Sequence, residues 1–203
     1  MPSTERTLVA AVVLAAGSST RMGRNKLLLE LGGETVVRRC ARTAVESGVD
    51  RVMVVLGHEA ERVASELLGL SCESVVNPDH GEGVGTSLQL GVTRAGAEAG
   101  AIVVVLADMP FVSAAMIRTL VERYRATGAP LVVSQYGDVR APPILYDRAL
   151  FAELLSIPGE RCAKQVVRHH EQEAVIVDWP EEALRDIDVA EDYERARSQL
   201  AGP

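Results

Sequence analysis

Leu8-Val9-Ala10-Ala11-Val12-Val13-Leu14-Ala15-Ala16-Gly17-Ser18-Ser19-Thr20-Arg21-Met22-Gly23-Arg24-Asn25-Lys26 is the stretch that decides the fold. Its first part, Leu8 to Leu14, is an unbroken Val/Leu/Ala run. A run of that length without alternation reads as a strand buried on both faces. Its second part changes character at once to small residues, glycines and cations. Small residues let a backbone come close to a ligand, and successive N–H groups can form an anion nest.

Downstream, the same change of period recurs. Glu34 to Ser47 places apolar residues at Val36, Val37, Cys40, Ala41, Ala44 and Val45, a helical stripe that stops at Gly48. Arg51 to Leu56 reads as a strand, Glu59 to Leu68 as a helix, and Glu73 to Val76 as a short strand ending at Asn77-Pro78. Gly85 to Ala97 reads as helical. Ile102 to Leu106 is the most apolar strand, and Ser113 to Tyr124 is a helix with Ser113 as its cap. Strands alternating with helices predict an α/β fold: a doubly wound, mostly parallel sheet with helices on both faces. The last third is less regular. Leu131 to Val133, Ile144 to Tyr146 and Val175 to Val177 read as strands. Arg148 to Leu155, Arg161 to His169 and Glu191 to Leu200 read as helices. No repeat or linker interrupts the chain, so residues 1–203 are expected to form one domain.

Composition narrows the function. Of the 203 residues, 47% are hydrophobic and 24% charged, an ordinary globular balance with enough chain for a real core. Aromatics make up only 3%, too few for base-stacking platforms, and the net charge of −7 disfavours general polyanion binding. No nucleic-acid partner is expected, and any phosphate must be held by a local nest of cations and N–H groups. Cys40, Cys72 and Cys162 are odd in number and none share a metal-ligand spacing, which fits a reducing cytosol. No apolar run approaches ~20 residues, so neither a membrane span nor membrane association is expected, and the chain reads as cytoplasmic.

In open α/β sheets ligands bind beyond the carboxyl ends of the strands. Two charged loops leave such ends: Ala15 to Lys26, and Ala107 to Pro110. In the first, Arg21 and Lys26 place positive charge where a triphosphate would lie; the spacing is neither a Walker loop nor G-x-G-x-x-G. In the second, Asp108 ends a very apolar strand, where an unpaired charge is expensive. Mg²⁺, which takes one or two carboxylates plus phosphate oxygens, would resolve that cost; a helix-leading Asp before a proline turn is the plainer alternative. Gly83-Val84-Gly85-Thr86-Ser87 opens a helix, so its N–H groups and hydroxyls either grip a base or ribose or simply start the helix. His169-His170 reads as an exposed helix end, since adjacent residues do not share a helical face, and Trp179 as a packing anchor.

Together, Leu14, Ala15, Ala16, Gly17, Ser19, Arg21, Met22, Gly23 and Lys26 spell L-A-A-G-x-S-x-R-M-G-x-x-K. This resembles the signature of the MobA-like nucleotidyltransferases, and within them the molybdenum cofactor cytidylyltransferases. The likeness continues through Asn77-Pro78-Asp79, Gly83 to Leu88, Ala107-Asp108-Met109-Pro110 and Asp186-Ile187-Asp188, in order along the chain.

The resemblance implies a Rossmann-like, GT-A-like nucleotidyltransferase fold, with an NTP-binding part over about 7–112 and an acceptor-binding, closing part over about 113–203. It implies Arg21, Lys26 and Asp108 as catalytic residues, and a nucleotide site of Leu14, Ala15, Ala16, Gly17, Ser18, Arg21, Lys26, Pro78, Gly83, Thr86 and Ser87. Mg²⁺ would sit on Asp108 and Asp188. Asp188 also heads Asp188-Val189-Ala190-Glu191, so it is either a ligand or the cap of the last helix. The implied substrates are CTP, or another NTP, and molybdopterin, with a molybdenum hydroxylase receiving the product. Ala16 stands where the guanylyl branch has glycine, and its methyl favours a pyrimidine. The family's Gly-His-Pro is Ala141-Pro142-Pro143 here, beside Arg140, which leaves the acceptor open to another phosphorylated sugar, polyol or phospholactate. An oxidoreductase and a cofactor chaperone are the rival readings.

Overall fold

The computed structural model describes residues 6–19, 22–157, 159 and 162–201. In chain order the strands are β1 (Val9–Ala15), β2 (Glu30–Leu31), β3 (Glu34–Thr35), β4 (Arg51–Leu56), β5 (Glu73–Val76), β6 (Ala101–Leu106), β7 (Leu131–Tyr136), β8 (Val139–Asp147) and β9 (Ala174–Trp179). The helices are α1 (Val36–Glu46), α2 (Ala60–Glu66), α3 (Val84–Ala95), α4 (Ala114–Thr127), α5 (Phe151–Ser156), α6 (Cys162–His169) and α7 (Ala190–Ala201). The expected doubly wound α/β architecture is present. Seven strands form one sheet in the order β5-β4-β1-β6-β8-β7-β9, and only β8 runs against its neighbours.

Every residue of β1 is buried, because helices cover both faces of the sheet. Successive side chains go to opposite faces. Val9, Ala11, Val13 and Ala15 join Val36, Val37, Ile117 and Leu120 of α1 and α4 on one face. Ala10, Val12 and Leu14 join Leu88, Val92, Leu154 and Val166 of α3, α5 and α6 on the other. Gly91 lets α3 lie close on the sheet; a Cβ there would come 2.4 Å from Val12 Cγ1.

The parallel register aligns Ala15 with Leu56 and Leu14 with Leu106, so β1, β4 and β6 end together. From β1 the chain winds outward through β4 and β5, then returns to place β6 on the other side of β1. The switch point therefore lies between β1 and β6, and the loops after both strands open there.

The last third departs from the sequence reading in two ways. β7 and β8 are longer than expected and form a hairpin over Gly137-Asp138, with β8 inserted antiparallel beside β6. Pro142-Pro143 falls in an irregular step where the register shifts between Val133 and Gln135. There the freed carbonyls are satisfied by side chains: Tyr136 Oη donates to Pro142 O at 2.9 Å, and Ser134 Oγ to Pro143 O at 2.6 Å. Trp179 Nε1 donates to Ser134 Oγ at 2.9 Å, so the expected packing anchor also braces this step. The small β2–β3 ladder was not expected.

Candidate active site

Between the β1 and β6 exits lies a cleft of about 510 Å³. Leu14, Ala16, Gly17, Ser18 and Ser19 line one wall and His80, Gly81, Gly83, Val84 and Ser87 another, with Lys26, Leu106, Asp108 and Asp188 completing it.

Lys26 reaches the cleft through a built loop. Leu27 is buried as an anchor, Asn25 Oδ1 accepts from Leu27 N at 3.1 Å, and Ser19 Oγ accepts from Lys26 N at 3.2 Å. Asp108 follows β6 in a turn closed by Met109 N donating to Leu106 O, and Arg39 Nε of α1 holds the next carbonyl, Pro110 O, at 3.1 Å. Asp188 arrives from far along the chain. Ile187, 1% exposed, sinks into the core, and its N–H donates to Asp108 O at 3.0 Å. That one backbone bond sets the two acidic segments side by side.

The three side chains converge. Lys26 Nζ lies 2.7 Å from Asp108 Oδ2 and 2.9 Å from Asp188 Oδ1. Burial pulls the Lys26 ammonium down, but the Asp108 and Asp188 carboxylates together outweigh it and hold its pKa above the ordinary lysine value. The lysine is thus fully charged, and two carboxylates face one ammonium. Among the described residues no group of three or more His, Cys, Asp or Glu converges to hold a metal. Asp108 and Asp188 are a pair, which suits a hard cation taking its other oxygens from phosphates and water.

Asp192 Oδ2 accepts from both Asp188 N and Val189 N at 3.0 Å, so Asp192 caps the turn while the Asp188 carboxylate meets Lys26.

Of the other expected residues, Leu14, Ala16, Gly17, Ser18, Gly83 and Ser87 line the cleft. Ala15, Pro78 and Thr86 do not. Ala15 points into the core and is 1% exposed. Thr86 Oγ1 lies 3.0 Å from both Asp79 O and Gly83 O and shares its one proton between them, which ties the hydroxyl to the backbone of its own turn. Arg21 lies outside the described residues. Arg140 does not line the cleft; its Nη1 lies 2.6 Å from Glu171 Oε1. His169 and His170 both bond Glu153, in keeping with an exposed helix end.

Asn77, quoted for its place in a motif, does more than its neighbour Pro78. It is 3% exposed; its Nδ2 donates to Thr86 Oγ1 and Ser87 Oγ at 2.9 Å, and its Oδ1 accepts from Asp79 N at 3.0 Å. It thereby fixes the first turn of α3 against the cleft, and the Asn-Pro-Asp turn was its signal. His80, also unexpected, is held close by Gly57, where a Cβ would come 2.7 Å from both Ala16 O and His80.

Known proteins share this fold. PucB of Bacillus subtilis (strain 168), a purine catabolism protein, is 31% identical over 202 residues, covering 94% of this chain and 96% of its own. Nicotine blue oxidoreductase of Paenarthrobacter nicotinovorans is 28% identical, covering 96% and 99%. The crystal structure of Rv0371c from Mycobacterium tuberculosis H37Rv superposes with a TM-score of 0.84 at 27% identity, covering 95% of this chain and 98% of that one. Its manganese complex gives 0.78 at 28%, covering 95% and 99%. Residues 11–175 match the MobA-like NTP transferase domain, and the chain belongs to that family of nucleotidyltransferases.

Proposed function

We propose that the protein transfers a nucleotidyl group from a nucleoside triphosphate, by preference CMP from CTP, to the phosphate of a small acceptor, with release of pyrophosphate. The observation that carries this reading is the meeting of Lys26 with Asp108 and Asp188 at the carboxyl edge of β1 and β6. A charged lysine flanked by two carboxylates, beside a glycine-bearing loop and the start of a helix, is suited to a metal-bound triphosphate.

Asp108 and Asp188 would hold a divalent ion, Mg²⁺; when bound, such an ion neutralises charge on the phosphates. The manganese complex of Rv0371c supports a divalent cation. Lys26 and Arg21 bind the β- and γ-phosphates and stabilise the charge that develops as pyrophosphate leaves. The N–H groups after Ala16 serve the same phosphates. A phosphomonoester is already ionised near neutral pH. Its oxygen attacks the α-phosphorus in line, the bond from that phosphorus to the β-phosphate oxygen breaks, and no general base is required.

Molybdopterin is the acceptor that the family resemblance implies, and a molybdenum hydroxylase would then receive the product. Incubation with each of four NTPs, Mg²⁺ and molybdopterin, with products identified by mass, tests this. The expected outcome is a cytidylylated product and pyrophosphate; no pyrophosphate from any NTP refutes transfer. The likeness to nicotine blue oxidoreductase favours a second, redox reading, which predicts an absorbance change with NAD(P)H and no pyrophosphate.

A further inference from the structure

We infer that the acceptor has an apolar carbon body, and that the protein takes it into a second chamber beside the nucleotide cleft. This rests on the transferase reading and ranks phosphomonoesters with an aromatic or alkyl body above sugar and polyol phosphates.

The chamber measures about 320 Å³ and shares Leu14, Val84 and Leu106 with the cleft, so the two spaces meet along that seam. Its inner wall is Leu88, Val104, Ile144, Tyr146, Cys162 and Val167, all buried. These residues belong to one apolar cluster; the chamber is a hollow where the core on that face of the sheet fails to close. Pro142 adds ring carbons rather than hydrogen-bonding groups, because the Pro142 and Pro143 carbonyls are already taken by Tyr136 and Ser134.

Among the described residues, the charged side chains lining the chamber are Arg140 and Lys164, both solvent-facing. Val104 pairs with Ile144 and Ile102 with Tyr146, so Arg140 and Pro142 lie toward the end of β6 that Asp108 follows. The chamber therefore points an anion at its mouth toward the cleft. Arg140 is paired with Glu171, which gives Lys164 the larger share of the attraction.

Apart from the Tyr146 hydroxyl and the Cys162 thiol, the inner wall formed by the described residues offers no side-chain hydrogen-bonding group, so a body rich in hydroxyls or ring N–H groups would lose water there with few replacement partners. Sugars and polyols are disfavoured on that count. Each carbon of an apolar body gains by burial instead. The step balances: the acceptor phosphate oxygen bonds to the α-phosphorus of CTP, the α–β phosphoanhydride bond breaks, and pyrophosphate leaves with the electron pair.

The test is isothermal titration of the full chain with 1-naphthyl phosphate and with glycerol 3-phosphate, in the presence of an α,β-methylene analogue of CTP and Mg²⁺. We expect 1-naphthyl phosphate to bind at least about tenfold more tightly. Ala163→Phe, at a half-buried position on the chamber wall, should erase that preference while analogue affinity persists. Lys164→Glu, on the surface, should weaken both phosphates. Equal affinities, no binding of either phosphate, or a preference that survives Ala163→Phe overturns the inference directly. Tight naphthyl binding with no pyrophosphate released from CTP overturns it through the transferase reading, a separable failure.

Discussion

The nucleotide cleft and the chamber beside it share three residues but are built in opposite ways. The cleft takes its charged groups from loops: Lys26 after β1, Asp108 after β6, Asp188 before α7. The chamber takes its wall from the interiors of β6, β8, α3 and α6. Loop residues can be polar because they sit beyond the sheet, where water and ligand replace each other. Wall residues inherit the chemistry of the core. Side chains of the cleft are therefore expected to govern rate, and those of the chamber to govern which acceptor is accepted.

The sharpest way to break that division is Asp108→Asn. Removing one charge-stabilising group typically costs ~10²–10³ in rate. The variant should lose pyrophosphate release on that scale with an unchanged Tm; near-wild-type turnover would remove the cleft from the chemistry. Lys26→Ala should follow, with weaker NTP binding and transfer slowed by about 10²-fold. Arg24→Ala serves as its control, because the Arg24 guanidinium lies 5.9 Å from the Tyr193 ring centroid, away from the carboxylate pair. Equal losses in the two variants would mean that loop charge in general, and not Lys26, matters.

A smaller effect concerns the base. Ala16, 6% exposed, lines the cleft. kcat/KM for CTP should exceed that for GTP at least about tenfold, within the ~1–3 kcal/mol that a pocket methyl can supply. Ala16→Gly should shrink the ratio; an unchanged ratio moves discrimination to Gly83 to Ser87.

The smallest effect tests the scaffold behind the chamber. Glu153 on α5 meets His169 Nδ1 and His170 Nε2 at the end of α6, each at 2.7 Å. The Glu153 hydrogen bond raises the His170 pKa, and those of His169 and His170 lower the Glu153 pKa. The His170 contribution is full below the ordinary histidine value and fades as pH rises through its raised one. The Glu153 contribution is full above the ordinary carboxylate value and fades as pH falls through its lowered one. Glu153→Gln should therefore lower Tm most at about pH 5–6, with the deficit closing at alkaline pH. A solvent-facing cluster of this kind contributes less than about 1 kcal/mol. A deficit that does not vary with pH would mean Glu153 acts through packing.

The two regions also differ in how far the sequence revealed them. From β1 to α4 the elements follow from unbroken apolar runs alternating with helical stripes, and Ser113 caps α4 as read, accepting from Met116 N at 3.3 Å. Asp108, Lys26 and Asp188 announced themselves as charges at apolar strand ends or within motifs. The chamber side was less legible. Pro142-Pro143 concealed a strand, because the side chains that satisfy its carbonyls lie six and nine residues away. β2 and β3 are two residues each, too short to carry a period. Ala15 and Thr86 belonged to the right motifs, but strand alternation turns Ala15 into the core and local hydrogen bonding commits the Thr86 hydroxyl to backbone carbonyls.

The bond between Ile187 N–H and Asp108 O has a kinetic consequence. The contact it supports, Lys26 with Asp188, closes a loop of 162 residues. Closing so long a loop is entropically costly and slow beside local pairing. β1, β4 and β6 can assemble, and the Lys26 loop can form, before the segment bearing Ile187 has docked. Refolding followed by burial of the sheet should therefore run ahead of refolding followed by pyrophosphate release. Completion of the carboxylate pair would mark the final docking of the chain, so that a partly folded molecule, however much of its sheet it has formed, has not yet acquired its second acid.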